Sequence, residues 1–299
     1  TVTLSHNKNS VNQLTGEKVQ LYLADMGVKG AGSSHKIGVG EPLGQFYGYI
    51  SDGLYQVSDF NYDKASGKYT LKDGIPYRGE KDKVQPGMLK FKNIDGSEDN
   101  KITEDDKTVI GNAFPKFYGG INNTFTYKDF DLSIFLTYSF GNDVLNATKL
   151  TNTRTALTNK NVFAAADWNH RWVTINKETG ALITDPEELA AANQGKTIAC
   201  FDDNGSSDNA VIHSWAVEDG SYLKLCNITL GYTFPKKIVN KIGLSKLRLY
   251  ATGNNLLTWT KYTGYDPEVS TMSNAMTPGV DFGAYPRSRS FVFGVNVAF

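Results

Sequence analysis

The 299-residue chain lacks the residue patterns of common enzyme sites and of metal sites built from histidine or cysteine. Its four histidines are isolated and have no metal-ligand spacing of the HxxxH kind. Its two cysteines, Cys200 and Cys226, have no such spacing either, and we favour free thiols over a disulfide. The 31 basic and 31 acidic residues cancel, so the overall charge indicates neither a nucleic-acid partner nor an anionic surface. We therefore expect a protein that is not an enzyme and binds no nucleic acid.

Long apolar runs are also absent from the sequence. No stretch approaches the ~18 residues of a transmembrane helix. The first residues, TVTLSHNKN, have neither the basic head nor the apolar middle of a signal peptide. These absences do not exclude a membrane β-barrel, because its strands give only a weak hydropathy signal.

Aromatic residues and glycine are abundant, and together they favour strands joined by turns. The chain has 16 Tyr, 16 Phe and 29 Gly. Apolar and polar residues alternate without a break through 130–140, and the same period runs through 117–127 before a two-residue turn. Alternating segments return at 222–234, 247–257 and 289–299. This pattern predicts an all-β fold with antiparallel strands.

The length of these strands and their end residues distinguish a membrane sheet from a soluble one. Soluble strands usually run about 5 or 6 residues, whereas a tilted membrane strand needs about 9 to 11, and the longer figure fits here. Aromatics lie at both ends of the apolar stripe in 130–140, as at a membrane interface. Short turns alternate with the long segments 52–115, 141–220 and 260–287. The sequence therefore predicts an antiparallel transmembrane β-barrel whose long connections are extracellular loops.

The number of predicted strands indicates an incomplete barrel. We expect the segment 36–50, which is interrupted by Pro42, to be an earlier ascending strand, and residues 1–7 to end a descending one. That gives about seven strands over residues 1–299, whereas a single-chain barrel needs at least about 8. The chain is therefore expected to be the C-terminal segment of a larger barrel.

The last alternating strand ends in an aromatic residue, a feature that the bacterial outer-membrane assembly machinery reads. We expect one face of this strand to contact lipid and to direct assembly. That face comprises Phe291, Phe293, Val295, Val297 and Phe299.

Five phrases, in this order, resemble the C-terminal region of the SusC/RagA family of TonB-dependent outer-membrane transporters. They are GQFYGYISDGLYQ, FKNIDGSEDNKITEDDKTVIGNAFPKFYGGINNTFTYKDFDLSIFL, YLKLCNITLGYTFPKK, LRLYATGNNLLTWTKYTGYDPEV and YPRSRSFVFGVNVAF. The resemblance implies a barrel of about 22 strands with a plugged lumen. It also implies a SusD-like surface lipoprotein as partner, and TonB as the energy source through an N-terminal plug that these residues do not include. The implied function is import of oligosaccharides, or alternatively of peptides, across the bacterial outer membrane.

One loop, DGSEDNKITEDD at 95–106, has the oxygen spacing of an EF-hand-like calcium loop. The predicted ligands are Asp95, Ser97, Asp99, Lys101 through its carbonyl, Thr103 and Asp106. Asn100 occupies the place where glycine usually makes the sharp turn, and asparagine tolerates the positive φ that this turn needs. We expect weak, structural calcium binding, with a dissociation constant of about 10⁻⁴ to 10⁻³ M. The alternative is an acidic, solvated turn without metal.

Three tryptophans in the predicted loops could contact cargo, because aromatic planes bind the apolar faces of sugars. They are Trp168, Trp172 and Trp215. Packing within the loops is the alternative role for all three. The stretch NNLLTWTKYTGYDPE occurs across the resembled family regardless of cargo, so we expect it to have a structural role at the barrel rim.

A competing interpretation of the whole chain is a soluble extracellular β-sandwich stabilised by calcium. It requires the apolar faces of the strands to pack against each other, whereas the barrel requires them to face lipid.

Overall fold

The computed structural model describes residues 1–25, 32–153, 161–199, 211–271 and 274–299. In chain order its strands are β1 (Val2–Ser5), β2 (Gln20–Asp25), β3 (Ser33–Gly38), β4 (Gln45–Tyr49), β5 (Ser51–Leu54), β6 (Phe60–Asp63), β7 (Lys68–Leu71), β8 (Tyr77–Arg78), β9 (Leu89–Phe91), β10 (Lys101–Ile102), β11 (Lys107–Asn112), β12 (Phe117–Tyr127), β13 (Phe130–Phe140), β14 (Asp143–Asn146), β15 (Val217–Asp219), β16 (Tyr222–Thr233), β17 (Lys246–Thr260), β18 (Val280–Asp281) and β19 (Ser290–Ala298). The α-helices are α1 (Ala147–Asn152), α2 (Pro186–Ala192) and α3 (Lys236–Val239). Single 3₁₀ turns lie at Val57–Asp59, Lys81–Lys83, Glu104–Asp106, Ser214–Ala216 and Asn240–Ile242. Within these residues no helix is long and apolar enough to cross a membrane.

Six strands form one antiparallel sheet, which we call the wall. Their order is β1, β12, β13, β16, β17, β19, so strands next to each other in this order are H-bonded neighbours. Strands β12 and β13 have 11 residues each, β16 has 12 and β17 has 15. These lengths match the prediction from alternation, and the fold is mostly antiparallel β structure as the sequence indicated.

The register of the wall places its apolar residues on one face, because residues paired directly across strands point to the same side. That face carries Ile121, Phe125, Leu132, Ile134, Leu136, Leu225, Ile228, Leu230, Leu249, Phe291, Phe293, Val295 and Val297. Asn123 is a polar exception, opposite Ile134. The other face carries mainly threonine, serine and asparagine, with Phe135 and Val292 as apolar exceptions and with paired charges at Arg248 and at Lys224.

Aromatic rows border this apolar face at both ends. Next to the short turns, Tyr127 pairs with Phe130, which pairs with Tyr232 at 4.7 Å between ring centroids. At the far end, Phe117 pairs with Phe140. Leucine and isoleucine fill the rows between them, so the wall has the layered composition of a lipid-facing surface.

A β-bulge at Cys226 keeps the apolar residues of β16 on one face. Leu225 pairs with Leu136 and Asn227 pairs with Phe135, so Cys226 is the extra residue. Strict alternation would otherwise place Asn227 on the face of Leu225. Cys226 is a free thiol 3.1 Å from the hydroxyl of Thr137. Cys200, the other cysteine of the chain, lies outside the described residues.

Three long connections lie at one end of the wall and two short ones lie at the other. The short ones are the turn after Tyr127 and the segment 234–245. We call the described residues of 6–116, 141–221 and 261–289 the cap. Alternation of short and long connections therefore holds, although the first long connection begins much earlier than residue 52.

The segment 36–50 does not belong to the wall, contrary to the sequence prediction. Its residues fall in β3 and β4, which pair with each other and lie in a separate sheet of order β11, β4, β3, β2. Gly40 and Gly44, at φ +83° and +79°, reverse the chain between these strands, so the run is a hairpin. Strand β1 consequently pairs directly with β12 and runs opposite to the predicted direction, and the wall has six described strands rather than seven.

The cap is held together by a core to which all three connections contribute. Phe46 comes from the first, Leu145 and Ile212 from the second, and Val280 from the third, and each is at most 1% exposed. Strand β14 pairs with β15 on one side and β18 on the other. The cap is thus a packed body attached to one end of the wall.

Candidate functional site

An ion pair crosses the polar face of the wall. Arg248 donates from Nε and Nη2 to the two carboxylate oxygens of Asp131, at 3.0 and 2.5 Å. Gly231 lies between them on β16, where a Cβ would come within 2.3 Å of Arg248 Nη2. A fixed, paired charge on this face suits a channel interior rather than contact with lipid.

A charge cluster around the buried Lys224 joins the wall to the cap. Lys224 on β16 is 2% exposed, and its ammonium lies 2.5 Å from Glu268 Oε2 and 3.3 Å from Asp266 Oδ2. The Tyr222 hydroxyl donates to Glu268 Oε1 at 2.8 Å. Both acids belong to the NNLLTWTKYTGYDPE stretch, so this stretch links the cap to the wall through Lys224.

The predicted calcium loop is held by its own backbone amides. Asp106 is fully buried; its Oδ1 accepts from the N–H groups of Ile94 (2.7 Å) and Asp95 (3.2 Å), and its Oδ2 accepts from that of Thr103 at 2.8 Å. Asn100 adopts φ +54°, as the turn requires. Thr103 caps the following 3₁₀ turn by accepting from Asp105 N–H.

The remaining predicted ligands of this loop also make local hydrogen bonds. Asp95 Oδ1 accepts from Ser97 N–H at 2.8 Å, and Asp99 Oδ1 accepts from Lys101 N–H at 3.0 Å. The Lys101 amide and the Ser97 side chain hold the pKa of Asp99 below its usual range. In the described chain, no three His, Cys, Asp or Glu side chains surround a point where a metal ion could lie.

The three predicted cargo tryptophans have different environments. Trp172 is 2% exposed in a core with Leu54 and Leu189, so no ligand reaches its ring in this structure. Trp215 is partly exposed, but the Lys149 ammonium lies 4.0 Å from its ring centroid. Trp168 is also partly exposed, with the Lys196 ammonium 5.9 Å from its ring. Trp215 and Trp168 therefore remain candidates for contact with cargo.

Trp215 borders a cavity of about 540 Å³ with charged walls. The Lys90 ammonium lies there, 3.4 Å from Asp59 and 3.8 Å from Asp52. Lys196 also lines this cavity. A ligand in it would meet charges of both signs.

A second cavity, of about 570 Å³, lies between the second and third connections. Asparagine, threonine and aromatic side chains line it, among them Asn152, Asn161, Phe163 and Tyr265. We call it the Tyr265 cavity. Sequence reasoning missed it because its walls come from segments about 100 residues apart, and the one segment with a recognisable pattern, 263–265 in the NNLLTWTKYTGYDPE stretch, was expected to have only a structural role.

Two histidines are buried as neutral rings in the cap. His35 is fully buried; its Nε2 lies 3.0 Å from the Pro278 carbonyl, so it donates there, and Nδ1 is then free to accept from Ser34 Oγ at 2.8 Å. Burial lowers the pKa of His35 to about 4. Burial and the charge of Lys149 lower the pKa of His213 to about 3.

We expect the cap to lose stability as the pH falls below about 6.5. The unfolded histidines take up protons near pH 6.5, while the folded cap resists protonation until about pH 4 or lower, so acid favours unfolding. Each histidine contributes up to about 1.4 kcal/mol per pH unit across that window. Thermal unfolding between pH 4 and 7 measures how steeply the stability of the cap falls with pH, and His35→Gln should make this dependence less steep. His170→Gln, which replaces an exposed histidine, is the control. An equal pH dependence in the unsubstituted protein and both variants would contradict the assignment of His35 as a buried, neutral histidine.

Comparison with known proteins gives a consistent set of similarities, although no family model matches the chain. The chain is 33% identical over 265 residues to "TonB-dependent receptor P3" of Formosa agariphila, covering 87% of this chain and 22% of that protein. It is 26% identical over 208 residues to "TonB-dependent receptor SusC" of Bacteroides thetaiotaomicron, covering 69% of this chain and 17% of that one. The chain thus spans well under a third of the length of these curated relatives.

Solved structures show the same fold at lower sequence identity. The "RagAB peptide transporter" aligns with all of this chain at a TM-score of 0.64, with 19% identity and 26% of that chain covered. The RagAB peptide importer in its "closed-closed" state aligns at a TM-score of 0.60.

Proposed function

This chain belongs to the SusC/RagA-like TonB-dependent receptors, and we propose that it forms part of an outer-membrane pore that imports oligosaccharides. Within that pore, the wall would be barrel surface in the bilayer and the cap would lie on the extracellular side. Passage of cargo needs no chemistry on the substrate, in keeping with the absence of an enzyme-like motif in the sequence. Energy would come from TonB through a plug, and a SusD-like lipoprotein would cover the cap.

The two-faced wall is the observation that carries this proposal. From Phe130 to Phe140 the strand β13 rises roughly 33 Å at about 3.3 Å per residue. A strand tilted by about 40° would then give a height of about 25 Å, which is the height of the apolar band on outer-membrane barrels. The aromatic rows lie at the two edges of that band.

The soluble β-sandwich fits the geometry less well. It needs a second sheet over the apolar face, yet the cap lies at the end of the wall. Phe293 is 81% exposed and Val295 is 59% exposed. We propose that these two residues, with Phe291, Val297 and Phe299, contact lipid and direct assembly.

Import of peptides is the second candidate function. It is favoured by the fold similarity to a structure whose title names a peptide transporter. Uptake of labelled oligosaccharides and of labelled peptides, in cells with and without the receptor containing this chain, decides between them. We expect receptor-dependent and TonB-dependent uptake of oligosaccharide. Uptake of peptides without uptake of oligosaccharides would favour peptide import as the function.

We further propose that calcium binds weakly to the 95–106 loop and stiffens it. The spacing of Asp95, Ser97 and Asp99 supports this proposal. Asp106, the last predicted ligand, already accepts hydrogen bonds from backbone amides. Binding would have to release the local hydrogen bonds of Asp95 and Asp99, which favours a dissociation constant at the weak end of about 10⁻⁴ to 10⁻³ M.

Calorimetric titration with calcium tests this proposal. We expect a weak heat signal that disappears in Asp95→Ala and persists in Asp105→Ala, an acid of the same loop that is not a predicted ligand. No heat with the unsubstituted protein would leave an acidic turn closed by its own amides.

A further inference from the structure

We propose that the Tyr265 cavity binds a neutral sugar unit of the cargo. This inference rests on the proposed oligosaccharide import, and it specifies where the cargo binds and that the bound sugar is uncharged. Cavities of this size hold small ligands, since such sites range over about 300–1,000 Å³.

The cavity is built from four short segments of the cap, which form its three sides. Helix α1 and the residue before it form one side, residues 161–165 form the second, and the turns around 263–265 and 281–283 form the third. Its volume is about 570 Å³. The side chains that carry the argument are Asn152, Asn161, Phe163, Tyr265 and Asp281.

The described lining of the cavity offers no free charge. Asp281 is the ionisable acid in its lining, and its carboxylate is 1% exposed and already satisfied. Oδ2 accepts from the Tyr262 hydroxyl at 2.6 Å, and Oδ1 accepts from the N–H groups of Gly283 and Ala284. No lysine, arginine or histidine lines the described cavity. A ligand with a carboxylate or an ammonium would lose hydration there without gaining a partner.

The groups that are available match the surface of a sugar ring. The amides of Asn152 and Asn161 each present a donor and an acceptor side by side, which suits neighbouring hydroxyls. Tyr265 is 71% exposed, so its ring face is open to the apolar face of a sugar. Phe163 supplies a second apolar surface in the same lining.

The cavity of about 540 Å³ that Trp215 borders is a poorer site for a neutral sugar. Lys90, Asp52 and Asp59 place charges in its wall, and the Lys149 ammonium covers a face of the Trp215 ring. The difference between the two cavities favours the Tyr265 cavity for uncharged, hydroxyl-rich cargo.

Binding of a labelled glycan array to the full receptor in detergent tests the inference. The array holds neutral hexose and pentose oligomers, uronic-acid oligomers and short peptides with free termini. We expect neutral oligomers to bind, Tyr265→Ala and Asn161→Ala each to weaken their binding at least tenfold, and Tyr265→Phe to retain it. Tyr285→Ala is the control, because Tyr285 is 91% exposed and does not line the cavity. Unchanged thermal unfolding of each variant shows that it has folded.

Three outcomes would overturn the inference. Neutral oligomers could bind equally to all variants, acidic oligomers or peptides could bind with the same dependence on Tyr265, or no neutral oligomer could bind. Uptake in cells separates these failures from failure of the proposed function. If Tyr265→Ala leaves oligosaccharide uptake unchanged, the cavity is not the binding site but the importer proposal stands. If the receptor takes up no oligosaccharide at all, both proposals are wrong.

Discussion

Replacing Lys224 with Met is expected to destabilise the junction of wall and cap by up to about 3 kcal/mol, because it leaves the buried Asp266 and the partly exposed Glu268 without their shared counter-charge. The Lys224 ammonium lies within 3.3 Å of both Asp266 and Glu268, whose side chains are 10% and 21% exposed. Methionine fills a similar volume, so the loss of stability measures the effect of removing the charge and not the effect of creating a cavity. Arg287, at 3.8 Å from Glu268, compensates only in part because its side chain is 68% exposed.

The thermal unfolding midpoint of the purified receptor measures this effect. Lys237→Met removes an exposed lysine from α3 and is the matched control, with little expected change. The triple variant Lys224→Met, Asp266→Asn, Glu268→Gln should recover much of the loss, since it removes the unpaired charges. A single variant no less stable than the control would show that the cluster does not hold the cap to the wall.

Replacing Ile134 with Arg should block membrane assembly. Ile134 lies midway between the aromatic rows on the apolar face, where an arginine facing lipid costs about 2–4 kcal/mol. The neighbouring Ser133→Arg points to the polar face and should assemble normally. The same substitution one residue apart thus separates the effect of face from the effect of charge.

The fraction of folded receptor in outer-membrane preparations, from its heat-dependent migration on gels, gives the result. We expect mostly unfolded or degraded protein for Ile134→Arg and a normal folded fraction for Ser133→Arg. Equal folded fractions for the two variants would mean that the apolar face does not contact lipid.

The wall could be predicted from the sequence because its signal is local. Side chains alternate with a period of two, so long unbroken alternation identifies β12 and β13 with the boundaries that the structure has. The same local signal could not reveal that 36–50 folds back on itself. Which sheet a strand joins depends on pairing with distant residues, and β4 pairs with β11, about 60 residues later.

The candidate sites were less predictable, because they depend on contacts between distant segments. Lys224 and its two acids are 42 and 44 residues apart, and neither the burial nor the pairing has a sequence motif. Trp172 resembles a surface aromatic in the sequence, yet tertiary packing buries it. Asp106 accepts hydrogen bonds from three backbone amides, and this role follows from the fold rather than from the spacing of the loop.

Collision accessibility of spin labels on the receptor in liposomes tests the orientation of the wall most directly. Labels are placed singly at Leu230 and at Ser133, on opposite faces, with Cys200 and Cys226 replaced by serine. The label at Leu230 should meet oxygen dissolved in lipid and be shielded from a water-soluble nickel complex, and the label at Ser133 should show the reverse. Equal accessibility at the two positions, or a reversal between them, would contradict the assignment of the wall as barrel surface.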